Sequence, residues 1–539
     1  MNCKKLATTA CAAAMLAALP VLAAAQELRI GVASEASSAD PHFHNIGTNN
    51  QLRRGIFEAL IDTDEAQQLR PLLATSWEPL DETTWQFNLR DDVSFTDGSA
   101  FDAWDVVYTV CRIPNVPDSP SAFTTYTKAA IGFEVPDPHT LIVKTAEPYP
   151  LLPTEFATWG IISAKANGVS PDDIAFTPEG CGDIAYPSTQ DFNDGSAAIG
   201  TGPFKLDAFR RGESVTVVRN DDYWGDAAPW EKVTYLPLTS DGPRVAALLA
   251  GDVDLVEVPP LQDLERLENT DGITLIEGIS NRVIYIHLDS DRDESPMITG
   301  AEGNPLKDQR VREALSIGID RGAIVERIMQ GVAIPAGELL PAGMFGAHAE
   351  GDFPAPAYDP DRARELLAEA GYPEGFGITL ATPNDRYMND AQVSQAVAQM
   401  WSRIGVDTQV DASTATTFFS RRNNLEFSAY LAGWGSGTGE MSSPIKALTA
   451  SYGPERGYGG ANGGRYSNPE LDDLLSRALA TVDDDAREAL LQEASAMAMA
   501  DVGVIPLHFE VTPWAMKSTI TYTPRVDQYT LPYHIRPAE

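Results

Sequence analysis

Strand-like and helix-like segments alternate along this chain from end to end, with no low-complexity linker and no internal repeat to separate them. No other sequence feature constrains the fold as strongly. The 514 residues from Gln26 onward exceed a single core, because folding units usually run to roughly 100–200 residues. Several cores must therefore be joined by short crossings, and a repeat-built scaffold is disfavoured. Residues 28–32 alternate as a strand, as do 85–89, which place Trp85, Phe87 and Leu89 on one face. After the turn pair Asp97 and Gly98, Asp102 caps a helix carrying Val106, Val107 and Val110, with Asp105 in the capping-box position. The clearest helix opens at Asp359 and Pro360. Ala363, Leu366, Leu367 and Ala370 share its inner face, and Gly371 and Pro373 close it. Asp308 opens another, with Val311, Leu315 and Ile319 inward, and Asp320 caps the next, which carries Ile324 and Ile328. Such a mixture predicts an α/β protein.

The first residues set the compartment. Lys4 and Lys5 precede an Ala/Leu-rich stretch broken by Pro20, and Ala23, Ala24 and Ala25 supply the small residues of a cleavage site before Gln26. This is the pattern of a secretory signal peptide, 1–25, and it predicts a periplasmic protein. Cys11 follows Thr8, Thr9 and Ala10 and lacks the aliphatic neighbour of a lipid-attachment site. No later stretch approaches the roughly 20 apolar residues of a membrane span. Cys3 and Cys11 leave with the leader, so Cys111 and Cys181 remain, and an oxidising compartment favours a disulfide between them. Their isolation, without CxxC spacing, argues against zinc. Acidic residues number 77 against 39 basic ones, and a net charge of −38 repels nucleic acid and anionic membranes, excluding both as partners.

Catalytic signatures are missing. The chain has no HExxH, no GxSxG elbow and no P-loop, so no enzyme is predicted. Of seven histidines only His42 and His44 lie close together. Two positions apart on a strand they share a face, yet no third ligand stands nearby, so neither metal nor cofactor is expected.

An ordered series of motifs carries a resemblance. Residues 89–98, Leu-Arg-Asp-Asp-Val-Ser-Phe-Thr-Asp-Gly, precede the helix from Asp102 to Val110. Gly200-Thr201-Gly202-Pro203-Phe204 and Asn220-Asp221-Asp222-Tyr223-Trp224 follow, then residues 308–315 with Ile319-Asp320-Arg321. Residues 358–360 lead through Gly375-Phe376 to Tyr466-Ser467-Asn468-Pro469, and the series ends at Ile505-Pro506-Leu507. In this order the chain resembles the family 5 extracellular solute-binding proteins, the peptide/nickel/opine group serving ATP-binding-cassette importers. The likeness implies a two-lobed periplasmic-binding-protein clamshell, type II-like, with an extra subdomain inserted in the first lobe. Lobe I would comprise 26–60, 200–287 and 507–539, the insertion 61–199 with both cysteines, and lobe II 288–506. It implies a monomer that captures a small solute, di- or oligopeptide by family default, by hinge closure, and delivers it to an inner-membrane permease. An opine, a sugar-like compound or a metal chelate is the alternative, and a secreted hydrolase is a distant third.

Small-molecule sites are mostly apolar and aromatic with a few placed polar groups, which selects three stretches. Trp434 offers a flat wall, with Gly435 and Ser436 allowing close backbone approach after an apolar strand read at 427–431. Peptide-binding relatives commonly carry an Asp shortly after this Trp. Here Gly435, Ser436 and Gly437 stand in its place, and Glu440 is the nearest acid. Asn384, Arg386 and Tyr387 form a second stretch, in which Arg386 suits a carboxylate. Phe43, His44 and Asn45 face them from the first lobe.

Overall fold

The computed structural model describes residues 26–538, and the expected signal peptide, 1–25, lies outside the described residues. Two long antiparallel strands, Ile273–Leu288 and Ile505–Lys517, form its spine. Their register runs from Ile273 opposite Lys517 to Ile279 opposite Val511, breaks across 280–282, and resumes at Val283 opposite Phe509. On one side of the break, Leu255–Glu257 pairs with Met516, Ala515 and Trp514. Glu27–Val32, Lys232–Pro237, Ser214–Arg219 and Phe204–Arg210 continue the sheet outward from there. Beyond the break, Ala429–Gly435 pairs with residues 282–288. Phe376–Pro383 follows, parallel to both Ala429–Gly435 and Val406–Ser413. One mixed twelve-stranded sheet thus serves two halves, and the chain crosses between them through the two spine strands.

Alternation along the spine divides the cores. Val283 and Tyr285 pack with Leu448, Leu475 and Phe509 on one face, whereas Ile284, Ile286 and Leu288 pack with Leu315, Leu380 and Trp401 on the other. A third core joins Leu28 and Val233 of the first half to Phe87 and Val143. The latter belong to a separate antiparallel sheet ordered Ala74–Asp81, Thr84–Leu89, Thr140–Thr145, Ala130–Asp137. Phe57 and Trp159, both fully buried, belong to the same core, so these apolar surfaces are continuous.

Local chemistry matches the pattern in the sequence. Trp85, Phe87 and Leu89 are the buried face of their strand. Asp102 accepts from the Trp104 amide at 2.7 Å, and the Asp105 carboxylate accepts from the Asp102 amide at 3.0 Å, completing the capping box. Asp359, Asp308 and Asp320 each cap the segment that follows. The segment after Asp320 is a single turn that widens over Ile324–Ile328 into a π-helix. Two boundaries differ from the sequence reading. The strand read at 427–431 is Ala429–Gly435, so Trp434 lies within it, opposite Val283. The strand before the second candidate stretch, whose apolar residues in the sequence end at Ile378, Thr379 and Leu380, extends through Thr382 and Pro383. In both cases a partner strand supplies the ladder, which overrides the local glycine and proline signals.

The cysteines are bonded, Cys111 to Cys181, with Cα atoms 5.8 Å apart. Nearby, Arg112 grips Asp40 with both terminal nitrogens, at 2.8 and 2.6 Å, and donates at 2.8 Å to His42 Nδ1, while His42 Nε2 donates to the Gly160 carbonyl at 2.7 Å. Burial holds this imidazole neutral, with its pKa brought down to about 3. His42 is therefore a structural hydrogen-bond bridge. Among the described residues no group of three or more His, Cys, Asp or Glu is placed to hold a metal.

Two outcomes follow from this packing. The disulfide closes a loop of 70 residues, worth about 4 kcal/mol in the chain-entropy account. A Cys111→Ser/Cys181→Ser variant should therefore unfold at clearly lower urea than the oxidised protein, and equal midpoints would refute the contribution. The buried carboxylates of Glu58, Asp105 and Glu155 have no cation within ion-pair distance among the described residues, and burial pushes each up to about 7. At low pH folded and unfolded chains both hold these protons, whereas toward neutrality only the unfolded chain releases them. The share of stability these three carboxyls contribute falls as pH rises from about 4.5 to about 7, while His42, His508 and His534, which burial lowers to about 3, 4 and 4, contribute an opposite rise over the same window. The urea midpoint of Glu155→Gln should therefore gain on that of the parent protein between about pH 4.5 and 7, and a constant difference between the two would refute the protonated, buried Glu155.

Candidate functional site

A cavity of about 1280 Å³ opens between the two halves, directly over the break in the spine. Its floor is polar. Arg282 meets Glu510 at 3.1 Å and donates to Gln528 Oε1 at 3.0 Å, while Gln528 Nε2 donates to Thr512 at 2.8 Å. Asn281 Nδ2 donates to the Ser436 carbonyl at 2.7 Å and to Gln67 Oε1 at 2.5 Å, so spine, first half and second half meet at one point.

The second half supplies one wall. After the strand Phe376–Pro383 the loop turns into the helix Asp390–Arg403, and the Asp390 carboxylate accepts from the amides of Arg386 and Tyr387 at 3.1 and 3.0 Å. These bonds fix the loop, and Tyr387 also donates its hydroxyl to the Gly433 carbonyl at 3.2 Å. A Cβ on Gly433 would stand 2.7 Å from the Tyr387 ring, so this close approach requires glycine. Arg386 reaches over the Tyr387 ring at 5.3 Å and has no carboxylate partner among the described residues. Trp434 is half-buried at the end of its strand, and its Nε1 has no acceptor among the described residues.

From the first half come Asn45, Asn50, Gln51, Asp241, Glu257 and Tyr529. Glu257 is buried and accepts from Gln51 at 2.8 Å. Burial raises its pKa against the hydrogen bonds of Thr530 and Gln51, and no cation among the described residues stands within ion-pair distance. By contrast Asp241 is occupied by Arg244 at 2.8 Å.

Seven of the residues singled out from sequence line this cavity: Asn45, Asn384, Arg386, Tyr387, Trp434, Gly435 and Ser436. Ser436 is buried and turns its backbone toward the floor. The other three do not line it. Glu440 is 3% exposed and faces away, held by Arg487 at 2.5 Å and by the Ser442 hydroxyl at 2.8 Å. An ion pair this buried is committed to packing, so Glu440 cannot stand in for the acid expected after Trp434. His44 bonds Ser37 through Nδ1 at 3.0 Å, and the Phe43 carbonyl accepts from Ser119 at 2.7 Å, which leaves Asn45 alone of that triplet on the wall. Sequence reasoning missed Arg282, Glu257, Glu510 and the tail residues Gln528 and Tyr529. None sits in a motif that reads as a site. The register of the spine and the returning C-terminal tail bring them together.

A family model described as bacterial extracellular solute-binding proteins, family 5 Middle, matches residues 68–455. The chain is 27% identical over 519 residues to the glutathione-binding protein GsiB of Salmonella paratyphi A, covering 94% of each chain. Among solved structures it is similar to the ABC transporter substrate-binding protein CtaP of Listeria monocytogenes. The TM-score is 0.80 at 19% identity, over 96% of this chain and 100% of that one. It is also similar to AgaA of A. tumefaciens R10 in complex with agropinic acid, with a TM-score of 0.72 at 21% identity over 95% and 99% of the chains. With the family model matched over most of its length, and its α/β fold shared nearly end to end with solved binding proteins, the chain belongs to the family 5 extracellular solute-binding proteins, non-enzymatic substrate-binding components of ATP-binding-cassette importers.

Proposed function

We propose that this chain captures a short peptide or peptide-like solute in the periplasm and presents it to an inner-membrane permease, acting as a monomer exported by its leader. The observation that carries this reading is the 1280 Å³ cleft, walled by both halves across the break in their shared strands. In this reading lobe I is 26–60, 200–287 and 507–539 with the insertion 61–199, and lobe II is 288–506. A solute touching both walls favours the closed arrangement by its differential affinity, and the break at 280–282 absorbs the hinge rotation. Trp434 stacks against the solute, Tyr387 braces that wall, and Arg386 receives a carboxylate. Glu257 supplies the acid that lobe II lacks. An approaching ammonium would offset its burial and restore its charge. Glutathione, the solute in the name of GsiB, carries both kinds of group and is the first compound to test.

A second reading has its own observation. The acid common after this Trp in peptide-binding relatives is missing, and Glu440 is sequestered by Arg487. A non-peptide solute such as an opine, as the AgaA complex with agropinic acid suggests, would need no amine anchor there.

Calorimetry on ligand-stripped protein separates the readings. Glutathione or short peptides should bind with a one-to-one stoichiometry. Trp434→Ala should weaken that binding by about tenfold to a hundredfold, in line with loss of an aromatic wall. Arg386→Gln should weaken it about tenfold. If no peptide gives heat while agropinic acid does, the peptide assignment is wrong. If mass spectrometry recovers a chemically altered compound after incubation, binding without turnover is wrong.

A further inference from the structure

Arg53 presents a charge that the packing around it does not balance. It lies in the last turn of the helix Gly47–Ile56, is 4% exposed, and its Nε and Nη1 have no acceptor among the described residues. Burial brings its pKa down to about 10, and the adjacent Arg54 adds repulsion. A buried guanidinium without a counter-charge is strongly destabilising.

Arg53 is among the residues lining a side pocket of about 30 Å³ that shares Asn50, Tyr126, Gly437 and Tyr529 with the cleft. That space exceeds what one water needs and suits a group the size of a carboxylate. Its remaining polar wall is also open. Thr438 Oγ1 and Asn50 Oδ1 have no partner among the described residues, and Arg54 Nη1 lies 3.7 Å from Asp527. Asn50 Nδ2 is committed to Asn45 at 2.9 Å and Tyr529 at 3.2 Å, which turns Oδ1 away from both. Asp527, the pocket's one carboxylate, is held by Arg525 at 2.7 Å and by the Tyr529 amide at 3.0 Å. Positive charge therefore exceeds negative here, in a chain of net charge −38. Arg53 also borders a separate cavity of about 250 Å³, where Arg54, Arg70 and Arg536 stand with Glu58, Asp62 and Asp226, and Asp62 is held by Arg54 at 3.5 Å and Arg70 at 2.5 Å.

We propose that this side pocket is an anion subsite of the cleft, receiving a terminal carboxylate of the solute on Arg53 and the Thr438 hydroxyl. Asn50 Oδ1 is then placed to accept from a neighbouring amide N–H of the same solute. A carboxylate beside an amide N–H is the chemistry of a peptide's C-terminal residue, so the assignment rests on the cleft being the solute site.

Carbon-13-labelled acetate, titrated at fixed ionic strength and followed by line broadening, isolates the subsite. An Arg386→Gln background removes the cleft's other unpaired guanidinium. Acetate should bind this protein, acetamide should not, and adding Arg53→Gln should weaken acetate by about tenfold or more. Thr438→Val, nearly isosteric, should give a smaller loss in the same direction and guards against misfolding of the first variant. Acetate that fails to bind, or binds equally without Arg53, overturns the subsite. Glutathione added next should displace the acetate. Glutathione that binds without displacing it overturns the assignment to the solute's carboxylate and leaves a site for free anions. Glutathione that does not bind at all counts against the peptide reading above, while Arg53-dependent acetate binding still supports the subsite.

Discussion

The pairing of Ile273–Leu288 with Ile505–Lys517 is the interaction on which everything else in this molecule depends. Segments more than two hundred residues apart form one ladder, and every other strand of the large sheet attaches to one end of it or the other. Because side chains alternate along a strand, five residues of one stretch, 283 to 286 and 288, supply apolar groups to two cores at once. The break at 280–282 is then a consequence as much as a feature. Pairing partners change there from Leu255–Glu257 to Ala429–Gly435, and the polar groups of Asn281 and Arg282 are left to face the cleft. A long closed ladder gives rigidity within each half. A local interruption concentrates compliance where the halves meet.

Charge is handled differently in core and cleft. The packed interior pairs charges, as in Arg112 with Asp40 or Arg487 with Glu440, or holds a buried carboxyl toward its neutral form, as with Glu58, Asp105 and Glu155. Around the cleft several groups are left without a counter-charge: Arg386 on one wall, Glu257 on the other, Arg53 at the end of the side pocket. Buried or confined charges lacking partners are destabilising unless something binds them, and opposite signs on facing walls suit a zwitterionic solute. The lining is consequently more polar than that of many ligand sites. Such a surface selects by matched charge as well as by apolar contact.

Much of the local architecture was legible in the sequence. Caps at Asp102, Asp308 and Asp359 act within a turn of their own helices, and the alternation of Trp85, Phe87 and Leu89 needs only a neighbouring strand to be satisfied. The strand read at 427–431 stopped short of Trp434 because the ladder partner of that residue, Val283, lies about 150 residues away. Glu440 failed for a related reason. Its charge is claimed by Arg487 from a distant helix, and nothing adjacent in sequence announces that claim.

By itself the sequence determined the α/β class, the helix caps, the cysteine pair that is bonded, and the ordered motifs that mark the family, because each depends on residues close together or on composition. Only the tertiary structure decided which residues face the cleft. Arg282, Glu257, Gln528 and Tyr529 reach it through strand register and a returning C-terminal tail, and register is set by long-range pairing that local propensity does not encode.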